Sequence, residues 1–219
     1  MSVNGGMIEI DTDGQLAAIM QKLTRLPDQI AAPNILKNAL NATARKVRKQ
    51  ITKDAAGQYA IKDKSILKKE DQGAPKVCTA TATSLEATLR SKGPMQDIMA
   101  FMTRPNTATG AAAAQVMQEG AMKPLETDDG LKAFIATFAS GHTAIVQRHP
   151  PGEYSTGRGA RGDRYGEGAD MTKIKKLLSP AVPHMLGNET VMAQAEALTF
   201  ATLEAEIQKR IDQVTAGRA

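Results

Sequence analysis

Residues 7–51 read MIEIDTDGQLAAIMQKLTRLPDQIAAPNILKNALNATARKVRKQI, and they set the fold class. Met7, Ile8 and Ile10 form a brief apolar run stopped by Asp11 and Asp13, which predicts a short edge strand. Thr12 or Asp13 can then accept hydrogen bonds from the free amides of a helix's first turn. Leu16, Ile19, Met20, Leu23 and Leu26 follow at spacings of three and four, so one helical face over 16–26 is apolar. Pro27 ends it, since proline has no amide hydrogen and disfavours helix in the residue before it. A second helix is expected from near Asp28, with Pro33 tolerable in its first turn. Ile35, Ala39, Leu40, Thr43, Val47 and Ile51 form its apolar side, and Gly57 is the expected stop.

The other end of the chain answers this one. Residues 179–214 read SPAVPHMLGNETVMAQAEALTFATLEAEIQKRIDQV, a proline-marked turn and then one long helix over about 189–214. Val191, Ala195, Leu198, Leu203, Ile207 and Ile211 supply its apolar face. The apolar faces of the three helices are expected to share one core with a sheet.

That sheet comes from the middle of the chain. Tyr59-Ala60-Ile61 restarts the chain after the helix, and Asp63 or Ser65 can cap a single turn in the charged stretch 61–72. Leu85, Ala87 and Leu89 alternate with Glu86, Thr88 and Arg90, the period of a half-buried strand. Gln96 to Arg104 is a short apolar segment without a clear period. A strand is expected near Gln115 to Gln118, ended by Glu119-Gly120. Leu131 to Phe138 and Thr143 to Arg148 read as two strands joined at Ser140-Gly141 in a hairpin. Pro150 to Asp170 is Gly-rich and reads as a long flexible loop, a length usually reserved for function or disorder. The expectation is an α+β fold: N-terminal helices and a long C-terminal helix packed on a mostly antiparallel sheet, in a single domain over 1–219.

Composition narrows the class of function. The chain has 219 residues, enough for one domain with its own core, and 42% of them are hydrophobic. Aromatics are only 3%, with no Trp, so the core must be built from aliphatic residues and 11 Met. A lone Cys78 cannot form an internal disulfide and suits a reducing compartment. No apolar run is long enough to span a membrane and no signal-peptide pattern opens the chain, so a protein made in the cytoplasm without membrane contact is expected.

The net charge of +5 is unevenly spread. Residues 35–76 hold eleven Lys or Arg against four acids, a net of +7, which leaves the remainder at −2. Such a stripe attracts polyanions or an acidic neighbour; its plain alternative is a solvated helix face. Arg45, Lys46, Arg48, Lys49 and Lys53 are its densest part. Aromatic interleaving for stacking on single strands is missing, and no helix-turn-helix or RNA-binding signature is present. Contact with nucleic acid would therefore be electrostatic and indifferent to sequence.

The remaining motifs are weak. Gly157-Arg158-Gly159-Ala160-Arg161-Gly162 has the letters of a dinucleotide fingerprint, yet no strand-to-helix turn surrounds it to aim a helix amino end at a pyrophosphate. Arg158, Arg161 and Arg164 in that loop are better read as contacts for a partner or DNA. His142, His149, His184 and Cys78 have no metal-ligand spacing, so neither a metal nor another cofactor is expected. No Ser or Cys is marked out by a base and an orienting acid, and no catalytic residue is assigned.

Three blocks together resemble the minor tail protein Z family, the tail-completion proteins of long-tailed phages and prophages. They are MIEID at 7–11 with the helical run 16–51, KAFIATFASGHTAIVQR at 132–148, and LLSPAVPHMLGNETV at 177–191 leading into the closing helix. Family members tend to carry Gly-Pro in the last turn, where this chain has Ser179-Pro180, and the 150–170 loop here is long. The blocks, in this order, span most of the chain and bring no catalytic motif with them.

What the resemblance implies is a non-enzymatic structural protein of the virion, acting at the head-proximal end of the tail. It implies completion of the tail and its joining to the head. It also implies self-association into a ring, with the tail terminator, the neck or connector proteins and, without sequence preference, genomic DNA as neighbours. The channel-facing or partner-facing residues inferred from charge are Arg45, Lys46, Arg48, Lys49, Lys53, Arg158, Arg161 and Arg164. The alternative is a nonspecific DNA-binding module using 35–76.

Overall fold

The computed structural model describes residues 7–8, 32–149 and 173–216. In chain order they form β1 (Met7–Ile8), α1 (Ala32–Gln58), β2 (Lys76–Cys78), β3 (Thr88–Arg90), β4 (Gln96–Asp97), β5 (Met102–Arg104) and β6 (Ala113–Gln115). There follow β7 (Lys123–Pro124), β8 (Ala133–Thr137), β9 (Thr143–Arg148), β10 (Ile174–Lys176), β11 (Leu178–Ser179), α2 (Val182–Leu186) and α3 (Glu189–Ala216). Every strand pair among them is antiparallel, and the fold is α+β. The expected helix over 16–26 and the loop over 150–170 lie outside the described residues.

The described residues fall into two compact units, each discontinuous in sequence. Among the described residues, the first takes 7–8, 32–57, 65–94 and 181–216, and the second takes 58–64, 95–149 and 173–180.

In the first unit α1 buries Ile35, Leu36, Ala39, Thr43, Ala44, Val47, Ile51 and Ala55, a stripe at helical spacing. Ile35, Leu36 and Ala39 pack with Leu203 and Ile207 of α3, while Leu40, Ile211 and Val214 flank them. Pro33 is accommodated in the first turn and Gly57 in the last. Beside the helices runs a small sheet of order β1-β3-β2, with Leu89 of β3 opposite both Ile8 and Val77. Asn41 ties α1 to the chain beyond this sheet. Its amide oxygen accepts from the Ala80 N–H at 2.7 Å, and its amide nitrogen donates to the Ala80 carbonyl at 3.0 Å. The side chain thus imitates a strand partner and satisfies two backbone groups at once.

Two glycines in this unit are set by crowding. Gly73 sits at φ 103°, in the left-handed region, and closes the 3-10 turn Glu70–Gln72 through its N–H to the Glu70 carbonyl. Gly93 lies so close that a Cβ there would stand 2.2 Å from the Gln72 carbonyl oxygen and 2.7 Å from Gly73 Cα. Ser91 donates to the Gly73 carbonyl at 2.5 Å and locks the approach.

The second unit is a stack of short strands. β5-β6-β7 make one sheet, β10-β9-β8 another, and β11 pairs with β4. Ile98, Ala112, Ala114, Ala133 and Ile145 form its core, with Met99, Val116, Leu125, Ile135 and Leu177 around them. Strand β9 is central, and Ala144, Ile145, Val146 and Gln147 are all buried, so both of its faces are covered. Gln147 satisfies its amide by donating to the Leu131 carbonyl at 2.7 Å.

Several expectations are corrected here. The alternating segment 85–90 is a strand only over Thr88–Arg90, and Leu85 is exposed. The strand expected at Gln115 to Gln118 lies two residues earlier, at Ala113–Gln115, with Met117 reduced to a single bridge to Tyr59. The Pro-marked turn before the last helix contains a helix of its own, α2, whose Val182, Met185 and Leu186 are fully buried.

Candidate functional site

The exposed side of α1 carries the charge. Asn34, Asn38, Asn41, Arg45, Arg48 and Thr52 follow one another at spacings of four and three, so they form one straight stripe along the helix. That stripe opens into two clefts within the first unit. One, of about 370 Å³, is lined by Arg45, Arg48, Lys49 and Thr52 of α1 together with Leu67, Lys68, Glu70, Ala74, Pro75 and Lys76. The other, of about 600 Å³, is lined by Asn34, Asn38, Asn41 and Arg45 on α1 and by Lys209, Arg210 and Gln213 on α3. Arg45 belongs to both.

The first cleft has five cations and one acid. Glu70 is 2.7 Å from Lys76, and among the described residues Arg45, Arg48, Lys49 and Lys68 are in no ion pair. Like charges at these spacings repel by a few tenths of a kcal/mol each. Their gathering lowers the stability of the free unit slightly and is relieved by an anion placed among them.

Not every predicted cation belongs to this surface. Arg45, Arg48 and Lys49 line the first cleft, whereas Lys53 is exposed on α1 but lines neither. Lys46 has a different role: its Nζ donates to Glu206 Oε1 on α3 at 2.6 Å. Arg210 holds the other carboxylate oxygen, Oε2, and the Glu206 backbone carbonyl. Glu206 is buried, its side chain 8% exposed, and the hydrogen bonds from Lys46 and then from Arg210 lower its pKa from 4.5 to about 2. Lys46 is therefore a clamp between two helices. Arg158, Arg161 and Arg164 lie outside the described residues.

Sequence reasoning placed the basic region but missed its second wall. Lys68 and Lys76 fall inside the counted stretch 35–76, yet nothing in their spacing says that the two 3-10 turns, Lys64–Lys68 and Glu70–Gln72, fold the chain back against α1. Glu206 was hidden on an otherwise ordinary helix; its position one residue before Ile207, on the edge of the apolar face, was the available signal.

A second charged group lies in the other unit. Asp97 Oδ2 is 2.7 Å from Lys176 Nζ and 3.7 Å from His142 Nε2, and those two nitrogens are 3.2 Å apart. Asp97 Oδ1 accepts from the Met99 N–H at 2.9 Å, capping the turn that follows. The cluster pins the β8–β9 hairpin tip and β10 to the start of that turn. Among the described residues, no three His, Cys, Asp or Glu side chains stand together as metal ligands, and no helix is long and apolar enough to cross a membrane.

No family model, characterised protein or solved structure matches this chain. The site must be read from its own geometry.

Proposed function

We propose that the chain is a structural protein of the virion, placed at the head-proximal end of a long-tailed phage tail, where it completes the tail and helps to join it to the head. The observation that supports this reading is that the resembling blocks fall on secondary-structure elements. The described part of the first block is β1 and the basic helix α1; the second is the β8–β9 hairpin; the third is β11, the α2 turn and the start of α3. The basic stripe on α1 adds the property such a position calls for, because a part near the DNA path must tolerate or hold a polyanion without selecting a sequence. In this reading the subunit self-associates into a ring, meets the tail terminator and the neck proteins, and turns over no substrate.

Mass spectrometry of purified particles, separated into heads, tails and joined virions, tests the placement. The chain should be found in tails and joined virions, at a fixed ratio to the tube protein, and be lacking from free heads. Recovery only in the soluble lysate, with none in any particle fraction, would overturn it.

A further inference from the structure

We propose that the two clefts along α1 act as one furrow that grips the phosphates of duplex nucleic acid, with Arg45 at its centre. The proposal rests on the virion reading for its setting, where the abundant polyanion is a packaged genome, and it deepens that reading by naming what the basic face meets. Its grounds are geometric. From Asn34 to Thr52 the stripe runs about 27 Å at the helical rise, a little under one duplex turn of about 34 Å. Arg45, Arg48, Lys49 and Lys68, with Lys209 on the far wall, supply positive charge that no acid among the described residues neutralises.

On the amino-terminal side of these cations along α1 stand uncharged groups suited to the sugar-phosphate backbone. Asn34 and Asn38 are exposed and present amides, whereas Asn41 is already committed to Ala80. An acidic protein surface is matched by charge alone, but amides beside guanidinium groups also suit phosphate and sugar oxygens. The choice of duplex over single strand follows from what lines the furrow. None of the described lining residues is aromatic, so unstacked bases would find no platform. Binding should therefore be electrostatic, indifferent to sequence and stronger for the duplex.

The test uses the full chain and a fluorescently labelled duplex of about two turns, read by anisotropy across a salt series. With four or five phosphates neutralised, the logarithm of affinity should fall against that of salt with a slope of about −4. This amounts to roughly a 250-fold loss between about 50 and 200 mM. Arg45→Ala and Arg48→Ala should each make the slope shallower by about one unit. Lys175→Glu, an exposed cation of β10, should change nothing. Circular dichroism melts confirm that each variant is folded, and Lys49→Ala with Lys68→Ala gives a second pair should either arginine variant melt early. Unchanged slopes in all four would overturn the proposal.

Two competitors complete the experiment. Single-stranded DNA of equal length should compete more weakly than the duplex. Poly-glutamate of equal charge should compete at least tenfold more weakly; equal or better competition would assign the furrow to an acidic protein and overturn the nucleic-acid assignment. Because binding is measured on the purified chain and placement on particles, failure here leaves the virion reading standing, and failure there leaves the furrow standing.

Discussion

Glu206 shows how far a single residue departs from its appearance in the sequence. On an exposed helix face it would be one acid among many, yet it is buried between Lys46 and Arg210 with its pKa held at about 2. A carboxyl whose folded pKa lies below its unfolded value of 4.5 stabilises the fold above about pH 4.5. That contribution is lost as pH falls through the folded value. Because Lys46 is more than half exposed, solvent weakens the pair, and the contribution is on the order of 2 kcal/mol. Glu206→Gln should remove most of the change in unfolding free energy between pH about 4.5 and 2, measured by urea titration at each pH. An acid limb as steep as that of the wild type would show that other carboxylates control it.

The same contact separates two neighbouring lysines that the sequence treats as equals. Lys46→Glu would set a second carboxylate against Glu206 and should cost about 2 kcal/mol. Lys49→Glu, exposed in the cleft, should stay within about 0.5 kcal/mol of wild type. Thr43 is the opposite case: it is buried on α1, and its hydroxyl has no hydrogen-bond partner among the described residues. Thr43→Val keeps the shape and removes the unpaired group, so thermal unfolding should show a gain of about 1 kcal/mol. A loss would mean that the hydroxyl is satisfied in solution.

Among the elements, what was legible in the sequence follows how strongly each pattern is enforced by burial. Helix α1 was readable because its apolar stripe is continuous from Ile35 to Ala55, although Leu36, at 3% exposure, is buried more deeply than the Leu40 that the spacing singled out. The β8–β9 hairpin was readable because Gly141, at φ 80°, sits between two β-branched runs. The segment 85–90 misled because its alternation continues past the point where a partner strand exists; β2 ends at Cys78, opposite Thr88. Strand β6 misled because four alanines, 111–114, carry no period, and its position is set by pairing with Met102–Arg104. The approach of Gly93 to Gly73 has no local signature at all. Gly93→Ala should cost more than about 2 kcal/mol, since the obstacle is backbone and cannot swing aside. An unchanged melting temperature would mean that the 72–73 turn can move.

For the whole molecule, the described residues fall into two units interrupted in sequence, with boundaries at the end of α1, in the charged stretch at Lys64 and at Pro94 and Pro180, rather than in a linker. The candidate site was legible only as a region of charge. Its depth depends on the 3-10 turns and on α3, elements brought to α1 by folding and not by proximity in sequence. On the function proposed above, these features would serve a part assembled near DNA at the end of a phage tail. The most direct test of that proposal is to delete the gene from the phage or prophage it calls for, and to count particles by electron microscopy with and without the chain supplied in trans. The account predicts filled heads and separate tails in the deletion, restored to joined, infectious virions by the wild-type chain. Joined particles at wild-type yield in the deletion would contradict it.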